Sequence, residues 1–299
     1  MKNPSRRSVL KALSGMGAFT LIGCGNTLSA LSDAGATADG GSGGSDGGST
    51  GSSDAGALAT DGSVDAASFA TGSGAFLSGK DYGNPFSGAI GPTCIAYAEA
   101  TKGPCHSNTY QRKDVSDGLV GLPTRFELLV VDTACAPVPN AIVEVWYASP
   151  AGTYSKAAQA IDEGTGYSGS LSDLNTAFCT GNDATALASN WLRGYQTSGN
   201  DGRVTIDGIY PGWYSGRTTH VHFIVTSNGK TSSTSQMLFD ETLNTKVYTQ
   251  HPSYKARGDK NTTNANDMVA RGLNLSTSTM SIAQQSDGAL VAWLAIAIA

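Results

Sequence analysis

The chain has 299 residues with 19 Lys+Arg, 24 Asp+Glu and 4 His, a formal net charge of −5, and only 14% of its residues are charged. That balance argues against a nucleic-acid partner, because a phosphate backbone is held by a basic excess. Charge and glycine are unevenly spread: residues 1–24 carry +4 (Lys2, Arg6, Arg7, Lys11), residues 25–79 carry −6, and residues 80–299 carry 15 − 18 = −3, while 13 of the 38 glycines fall between residues 35 and 79. Three segments are expected: a signal over 1–24, a linker over 25–87 and a folded domain over 88–299.

In the first segment, Ser5-Arg6-Arg7-Ser8-Val9-Leu10-Lys11 is a twin-arginine pattern ahead of an apolar stretch, Ala12 to Gly23, too short to span a bilayer permanently. The stretch closes on Leu21-Ile22-Gly23-Cys24, which resembles the lipobox of bacterial lipoproteins. Cys24 is therefore expected to be lipidated and to become the first mature residue, anchoring an exported protein in the bacterial cell envelope, at a membrane the sequence does not specify. Removing Cys24 from five cysteines leaves an even set, Cys94, Cys105, Cys135 and Cys179. In an oxidising compartment these predict two disulfides, with three connectivities open.

The second segment runs through Gly40 to Gly56 in Gly, Ser, Asp, Thr and Ala, without Pro. Such a composition buries too little apolar surface to offset chain entropy and predicts a disordered, flexible leash. About 55 residues of it reach roughly 40 Å root-mean-square.

The third segment reads as strands. Arg125–Val131, Ala141–Trp146, Arg203–Ile206, Thr219–Val225, Ser235–Phe239 and Leu290–Ile296 are short β-branched or aromatic runs, separated by turn residues at Pro137–Asn140, Gly199–Gly202, Asn228-Gly229 and Asp287-Gly288. No long amphipathic helix competes. An all-β, antiparallel β-sandwich with long loops is the expected class.

Within one predicted strand, His220-Val221-His222 places two imidazoles on the same face about 7 Å apart along the chain, within reach of one metal ion. Around it stand Tyr214 and Arg217, in Ile209 to Arg217, and further back Trp146 to Ser155 with Tyr154.

With these residues in view, the third segment resembles the intradiol ring-cleavage dioxygenases, the catechol and protocatechuate dioxygenase-like family. The resemblance rests on Gly103-Pro104, on Val131-Asp132 with Cys135-Ala136-Pro137, and on Glu144-Val145-Trp146 followed by Gly152-Thr153-Tyr154-Ser155. It continues through Leu192-Arg193-Gly194, Asp201-Gly202-Arg203-Val204, Pro211 to Arg217 and His220-Val221-His222. It implies a β-sandwich with ferric iron in a cleft at one side, held by Tyr154, Tyr214, His220 and His222. It implies intradiol cleavage of a catechol-type ring by O2 to a cis,cis-muconate-type product. Tyr214 is then the tyrosinate that leaves, Arg217 the stabiliser of negative charge on the ring, and Gln236 a neighbour of substrate and O2. Two phenolates suit this metal: the phenol pKa of about 10 is overcome at neutral pH by a Lewis acid as strong as Fe(III), and less well by zinc.

Three departures bear on the substrate. Tyr147, Ala148 and Ser149 follow Trp146 where the family usually has His; Cys105-His106 stands where two tyrosines are common; and Lys156 to Trp191 forms a long insertion near the mouth. His106 and His251 have no assigned partner and are read as surface residues. A second reading makes the domain a non-catalytic tethered β-sandwich module binding iron, an aromatic or a carbohydrate; Arg217 beside four metal ligands favours catalysis. A zinc or copper hydrolase using the His pair leaves Tyr154 and Tyr214 unexplained. The sequence leaves the substrate and oligomeric state open.

Overall fold

A computed structural model describes residues 64–87, 94–161 and 167–299. The twin-arginine pattern, Cys24 and the linker before residue 64 lie outside the described residues. Among the described residues eight strands form two sheets. β1 (Pro123–Asp132), β4 (Arg203–Ile209), β7 (Ser281–Gln284) and β8 (Leu290–Ile298) make one, in the order β4-β1-β8-β7. β2 (Ile142–Tyr147), β3 (Arg193–Thr197), β5 (His220–Ser227) and β6 (Lys230–Leu238) make the other, in the order β3-β2-β5-β6.

The expected sandwich is thus present, with one correction: β1 and β8 run parallel, so the first sheet is mixed and only the second is wholly antiparallel. A parallel pair requires a long return connection. Here β1 and β8 are separated by most of the domain. The β5–β6 hairpin closes on Asn228 (φ 51°) and Gly229 (φ 73°), the double positive-φ geometry that matches strand twist.

Period two sorts each strand. Phe126, Leu128 and Val130 of β1 and Leu290, Ala292, Leu294 and Ile296 of β8 face Val143, Val145 and Tyr147 of β2 and Val221, Phe223 and Val225 of β5, forming the shared core. His220 and His222 alternate with Val221 and Phe223 and therefore project from the opposite, outer face of the second sheet. Pairing register then sets their company. Arg193 of β3 lies opposite Trp146 of β2, Trp146 opposite His222 of β5, and His222 opposite Gln236 of β6. Directly paired residues share a face, so one transverse row carries Arg193, Trp146, His222 and Gln236.

The folded body begins earlier than residue 88. Val64 to Ser87 wraps the first sheet: Leu77 is fully buried, Arg125 donates to the carbonyls of Leu77 (2.8 Å) and Lys80 (2.7 Å), and the Gly74 amide donates to Ser116 Oγ at 2.9 Å. Tyr82 and Phe86 pack on Val291 and Trp293, which covers the outer face of β8 and explains why that strand is apolar on both sides. Average composition hid these anchors, because Phe76, Leu77, Tyr82 and Phe86 are spaced among Gly and Ser.

Helix α1 (Glu241–Gln250) follows β6 and was not expected. Asp240 caps it, accepting from the Leu243 amide at 3.0 Å, and Leu243, Asn244, Val247 and Tyr248 form its buried face. His251, at its end, is buried as well and not a surface residue: Nε2 donates to the Ala70 carbonyl at 2.9 Å and Nδ1 accepts from the Ser253 amide at 3.1 Å. It pins the early segment to the body.

Leu77→Ala is expected to lower stability by about 2–4 kcal/mol, the usual cost of removing a fully buried leucine side chain. Urea unfolding checks this; an unchanged midpoint would return residue 77 to the linker.

Candidate active site

Three elements bring the donors together. His220 and His222 stand on β5, their rings 4.7 Å apart and their Nε2 atoms 3.2 Å apart. Tyr154 comes from the loop after β2 and Tyr214 from the loop before β5. Their hydroxyls lie 3.3 Å and 3.5 Å from His220 Nε2. The two loops are tied by the Gly212 amide, which donates to the Ala148 carbonyl at 2.9 Å, so the tyrosines are set relative to each other as well as to the sheet. All four residues are buried.

Hydrogen bonds fix the chemical state of His220. Its Nδ1–H donates to the Thr218 carbonyl at 2.7 Å, leaving Nε2 with a free lone pair aimed into the cluster. Burial, reinforced by the Arg217 charge, drives the imidazole pKa down to about 3, and burial with the charge of His220 holds His222 well below the ordinary histidine value. Both rings are neutral. Burial, followed by the influence of Tyr214, pushes the Tyr154 phenol well above its usual value, so the protein alone keeps it protonated.

The residues fit a ferric ion. For bonds of about 2.0–2.2 Å, donors sharing one ion stand about 2.9–3.5 Å apart, which is the spacing of Tyr154, Tyr214 and His222 about His220 Nε2. His222 Nδ1 is buried without a hydrogen-bond partner among the described residues. Four lone-pair donors meeting in a dry space call for a cation, and two phenols among them call for one acidic enough to ionise them.

Arg217 and Gln236 also meet here. Arg217 is buried; its Nε donates to Asp267 Oδ2 at 2.8 Å, and its Nη2 donates to Gln236 Oε1. Gln236 Nε2 in turn donates to the Thr101 carbonyl at 3.1 Å. Burial opposes the Arg217 charge, but Tyr214 and Asp267 outweigh it and hold its pKa above the ordinary value. Gly103 adopts φ 75° and sits so close to the site that a Cβ there would stand 2.9 Å from His222 Cε1, leaving only glycine tolerable.

The four domain cysteines form two disulfides, Cys94–Cys135 and Cys105–Cys179. The first lies by Leu129, Val131 and Ala297 on the first sheet, away from the site. The second frames it: the Tyr154 amide donates to the Cys179 carbonyl at 2.8 Å, and Arg193 Nη2 donates to the Cys105 carbonyl at 2.6 Å. His106 is half-buried and paired rather than free. Its Nε2 lies 2.7 Å from Glu144 Oε1 and its ring meets Trp146 edge-on at 4.7 Å. Trp146 stacks on His222 at 5.0 Å with an interplanar angle of 5°.

Sequence reasoning missed Asp267, which is fully buried, and the carbonyl of Thr218. Nothing in their spacing points to the site. Arg193 was seen only as part of a motif.

The Dioxygenase family pattern matches residues 91–249, just over half the chain. The chain belongs to the dioxygenase family. Membership among the ring-cleavage dioxygenases, and with it an enzymatic class, is as the motifs predicted. The intradiol ring-cleavage dioxygenase from Tetranychus urticae is 25% identical, with a TM-score of 0.56, covering 69% of this chain and 94% of that one. A second dioxygenase of known structure is 25% identical with a TM-score of 0.55, covering 68% and 94%. No curated protein matches. The family generally uses Fe(3+) and acts on catechols with O2.

The neutral histidines give a pH test on iron-free protein. His220, His222 and His251 all have folded pKa values below the unfolded value, so the unfolded chain binds more protons at mildly acidic pH. Stability is fully present above about pH 6.5 and is lost progressively as pH falls toward 3. Urea midpoints between pH 7.5 and 4.5 should fall steadily; a flat profile would mean that these rings are not buried neutral.

Proposed function

We propose that this dioxygenase cleaves a catechol-type ring between its two hydroxyls with O2, at a ferric ion held by Tyr154, Tyr214, His220 and His222, giving a cis,cis-muconate-type product. The observation that carries the reading is the convergence of two phenols and a second imidazole on His220 Nε2 within 3.5 Å. Bound iron supplies the Lewis acidity that ionises the phenols and the catechol and makes the ring reactive toward O2.

The chain's own residues divide the remaining work. His220 and His222, neutral and locked on a strand, hold position without changing charge. Tyr214 Oη is the base that receives a catechol proton, while Tyr154, whose backbone is tied through Cys179 and Ser155, stays in place. Arg217 has no lone pair to offer a metal and acts through its charge on the bound ring. Asp267 and Gln236 grip its guanidinium from two sides, so the donor is preorganised and needs no reorientation when negative charge develops. Gln236, opposite His222 on β6, completes the wall.

We also propose that the protein is exported and anchored through lipidated Cys24, a reading supported by the order of twin-arginine pattern, apolar stretch and lipobox, and by two disulfides that an oxidising compartment favours.

The iron-loaded protein is expected to be coloured, with about one iron per chain; a colourless protein with stoichiometric zinc would sink the assignment. His220→Ala should lose the metal. Arg217→Ala should keep it and lose about 10²–10³ in turnover per iron, the usual cost of removing one donor aimed at developing charge. Single-turnover catechol cleavage with iron measured in the same samples separates the two, and equal turnover per iron would remove Arg217 from the mechanism. Cys24→Ala should move the protein from the membrane to the soluble fraction; release of the unaltered protein by salt alone would count against acylation.

A further inference from the structure

Beyond the residues that the family pattern matches, 91–249, the segment from Arg257 to Asp267 runs along the Tyr214 loop and bonds it residue by residue. Trp213 Nε1 donates to the Gly258 carbonyl at 3.2 Å, and the Trp213 carbonyl accepts from Arg257 Nη1 at 2.5 Å, with the guanidinium 4.4 Å from the centre of the Trp213 ring. Asn261 holds two residues further on: its Nδ2 donates to Ser215 Oγ at 2.9 Å and its Oδ1 accepts from the Gly216 amide at 3.3 Å. Asp267 Oδ2, already bonded to Arg217, accepts from the Thr218 amide at 2.7 Å, and the Thr218 hydroxyl donates to Asn264 Oδ1 at 2.7 Å. The chain is thus gripped on both sides of Tyr214, at Trp213 and at Ser215 to Thr218.

The same segment reaches the Tyr154 loop. Arg257 Nη1 also donates to the Pro150 carbonyl at 3.4 Å. Beside it Gly152 adopts φ 77°, and a Cβ there would stand 2.2 Å from the Trp213 carbonyl oxygen and 2.6 Å from Arg257 Nη1, so the two loops and the guanidinium meet in a space that only glycine leaves open. The segment is itself tied to the body. Asn264 Nδ2 donates to the Phe239 carbonyl just past β6 at 2.9 Å, and the Thr245 hydroxyl of α1 donates to Asp259 Oδ2 at 2.8 Å. Its grip also reaches the donor cluster, because Thr218, held by Asp267 and Asn264, is the residue whose carbonyl orients His220 through Nδ1.

We propose that Arg257–Asp267 is a positioning segment for the reaction, with Arg257, Asn261 and Asn264 as its positioning residues: it holds the backbone on both sides of Tyr214 stationary, so that Tyr214 leaves and returns by rotation of its side chain alone. The proposal rests on the ferric reading above and goes beyond it. A phenol that must return to the same place needs a fixed hinge, since about 1 Å of misplacement can cost on the order of 10²-fold in rate. The same grip keeps Arg217, three residues along the loop, in register with the site.

The test compares the full-length protein with Asn261→Ala, an exposed position whose side chain can be removed without opening the core. In iron-free protein, hydrogen exchange of the peptide over 211–218 should be about 3–10-fold faster than in the parent, the usual worth of a hydrogen bond, with the melting temperature within about 4 °C. In iron-loaded protein, kcat for catechol should fall about 10-fold, the low end for residues that support a metal site, while KM and iron content stay near the parent values. Asn261→Asp keeps both bonds, because a carboxylate accepts from the Gly216 amide and from the Ser215 hydroxyl, and should restore exchange and kcat. Arg257→Met, at a second exposed position, loses the bonds to the Trp213 and Pro150 carbonyls and should move exchange and kcat in the same direction as Asn261→Ala. Parent exchange in both variants, or faster exchange with parent kcat, would overturn the proposal. A loss of turnover that only follows lost iron or a lowered melting temperature would make the segment a fold staple and overturn it as well. A parent protein that holds no iron and turns over no catechol would instead fail the ferric reading, while exchange in the iron-free protein still decides whether the segment holds the loop, so the two failures are distinguishable.

Discussion

Two imidazole nitrogens and two phenol oxygens meeting within 3.5 Å, all from buried residues, set the constraint around which the domain is arranged. Lone pairs crowded together in a dry space repel unless a cation or shared protons lie among them. Such a cluster survives only where the backbone leaves its members no alternative. β5 supplies that rigidity for the histidines, because it is a central strand paired on both sides, by β2 and by β6. The apolar face of the same strand is locked in the core through Val221, Phe223 and Val225. A one-residue slip would bury the imidazoles and expose those three, so core packing and the gathering of the donor cluster enforce one register.

The tyrosines come from loops and need other restraints. A closed circuit provides them for Tyr154: its amide bonds Cys179, Cys179 is joined to Cys105, the Cys105 carbonyl accepts from Arg193, and Arg193 returns to Ser155. The insertion between Lys156 and Trp191 takes part in this circuit through Cys179 and through the Lys156 amide, which donates to the Ala186 carbonyl at 2.8 Å. In the chain-entropy picture a bridge spanning 74 residues removes about 4 kcal/mol of unfolded-state freedom. Its further effect is local, since it fixes the loop that presents Tyr154.

Much of this was legible in the sequence, and for identifiable reasons. The spacing of His220 and His222 gave their shared face at once, because strand periodicity is local information. The six strong strands were readable from β-branched runs. β3 and β7 were not: Arg193-Gly194-Tyr195-Gln196-Thr197 and Ser281-Ile282-Ala283-Gln284 are polar, and pairing with a neighbour makes them strands. Helix α1 was missed because its buried face is interrupted by Asn244, whose Oδ1 accepts from the Tyr210 hydroxyl at 2.8 Å. Asp267 lies 50 residues from Arg217 and could not be paired with it by spacing. Disulfide pairing likewise depends on which loops fold onto the same face.

The departures from the family pattern turn out to lie in different layers. Tyr147 points into the core, where its ring meets Phe126 at 5.6 Å, so the residue after Trp146 lies on the face away from Tyr154, Tyr214, His220 and His222. Ser149 closes the turn leading to Tyr154, its amide donating to the Thr153 carbonyl at 2.8 Å and its hydroxyl pairing with Thr153 Oγ1 at 2.8 Å; it shapes the loop rather than the cleft. His106 is the departure that reaches the site. Held by Glu144, it meets Trp146 edge-on, and Trp146 lies flat on His222, so the His106–Glu144 pair reaches the donor cluster through one aromatic ring. The same residue, with Gly103, Pro104 and Gln159, lines an open pocket of about 260 Å³. Cys105, the other member of that departure, is taken up by its disulfide to Cys179 and by its carbonyl, which accepts from Arg193, so it ties the Tyr154 loop down where a second aromatic side chain is usual.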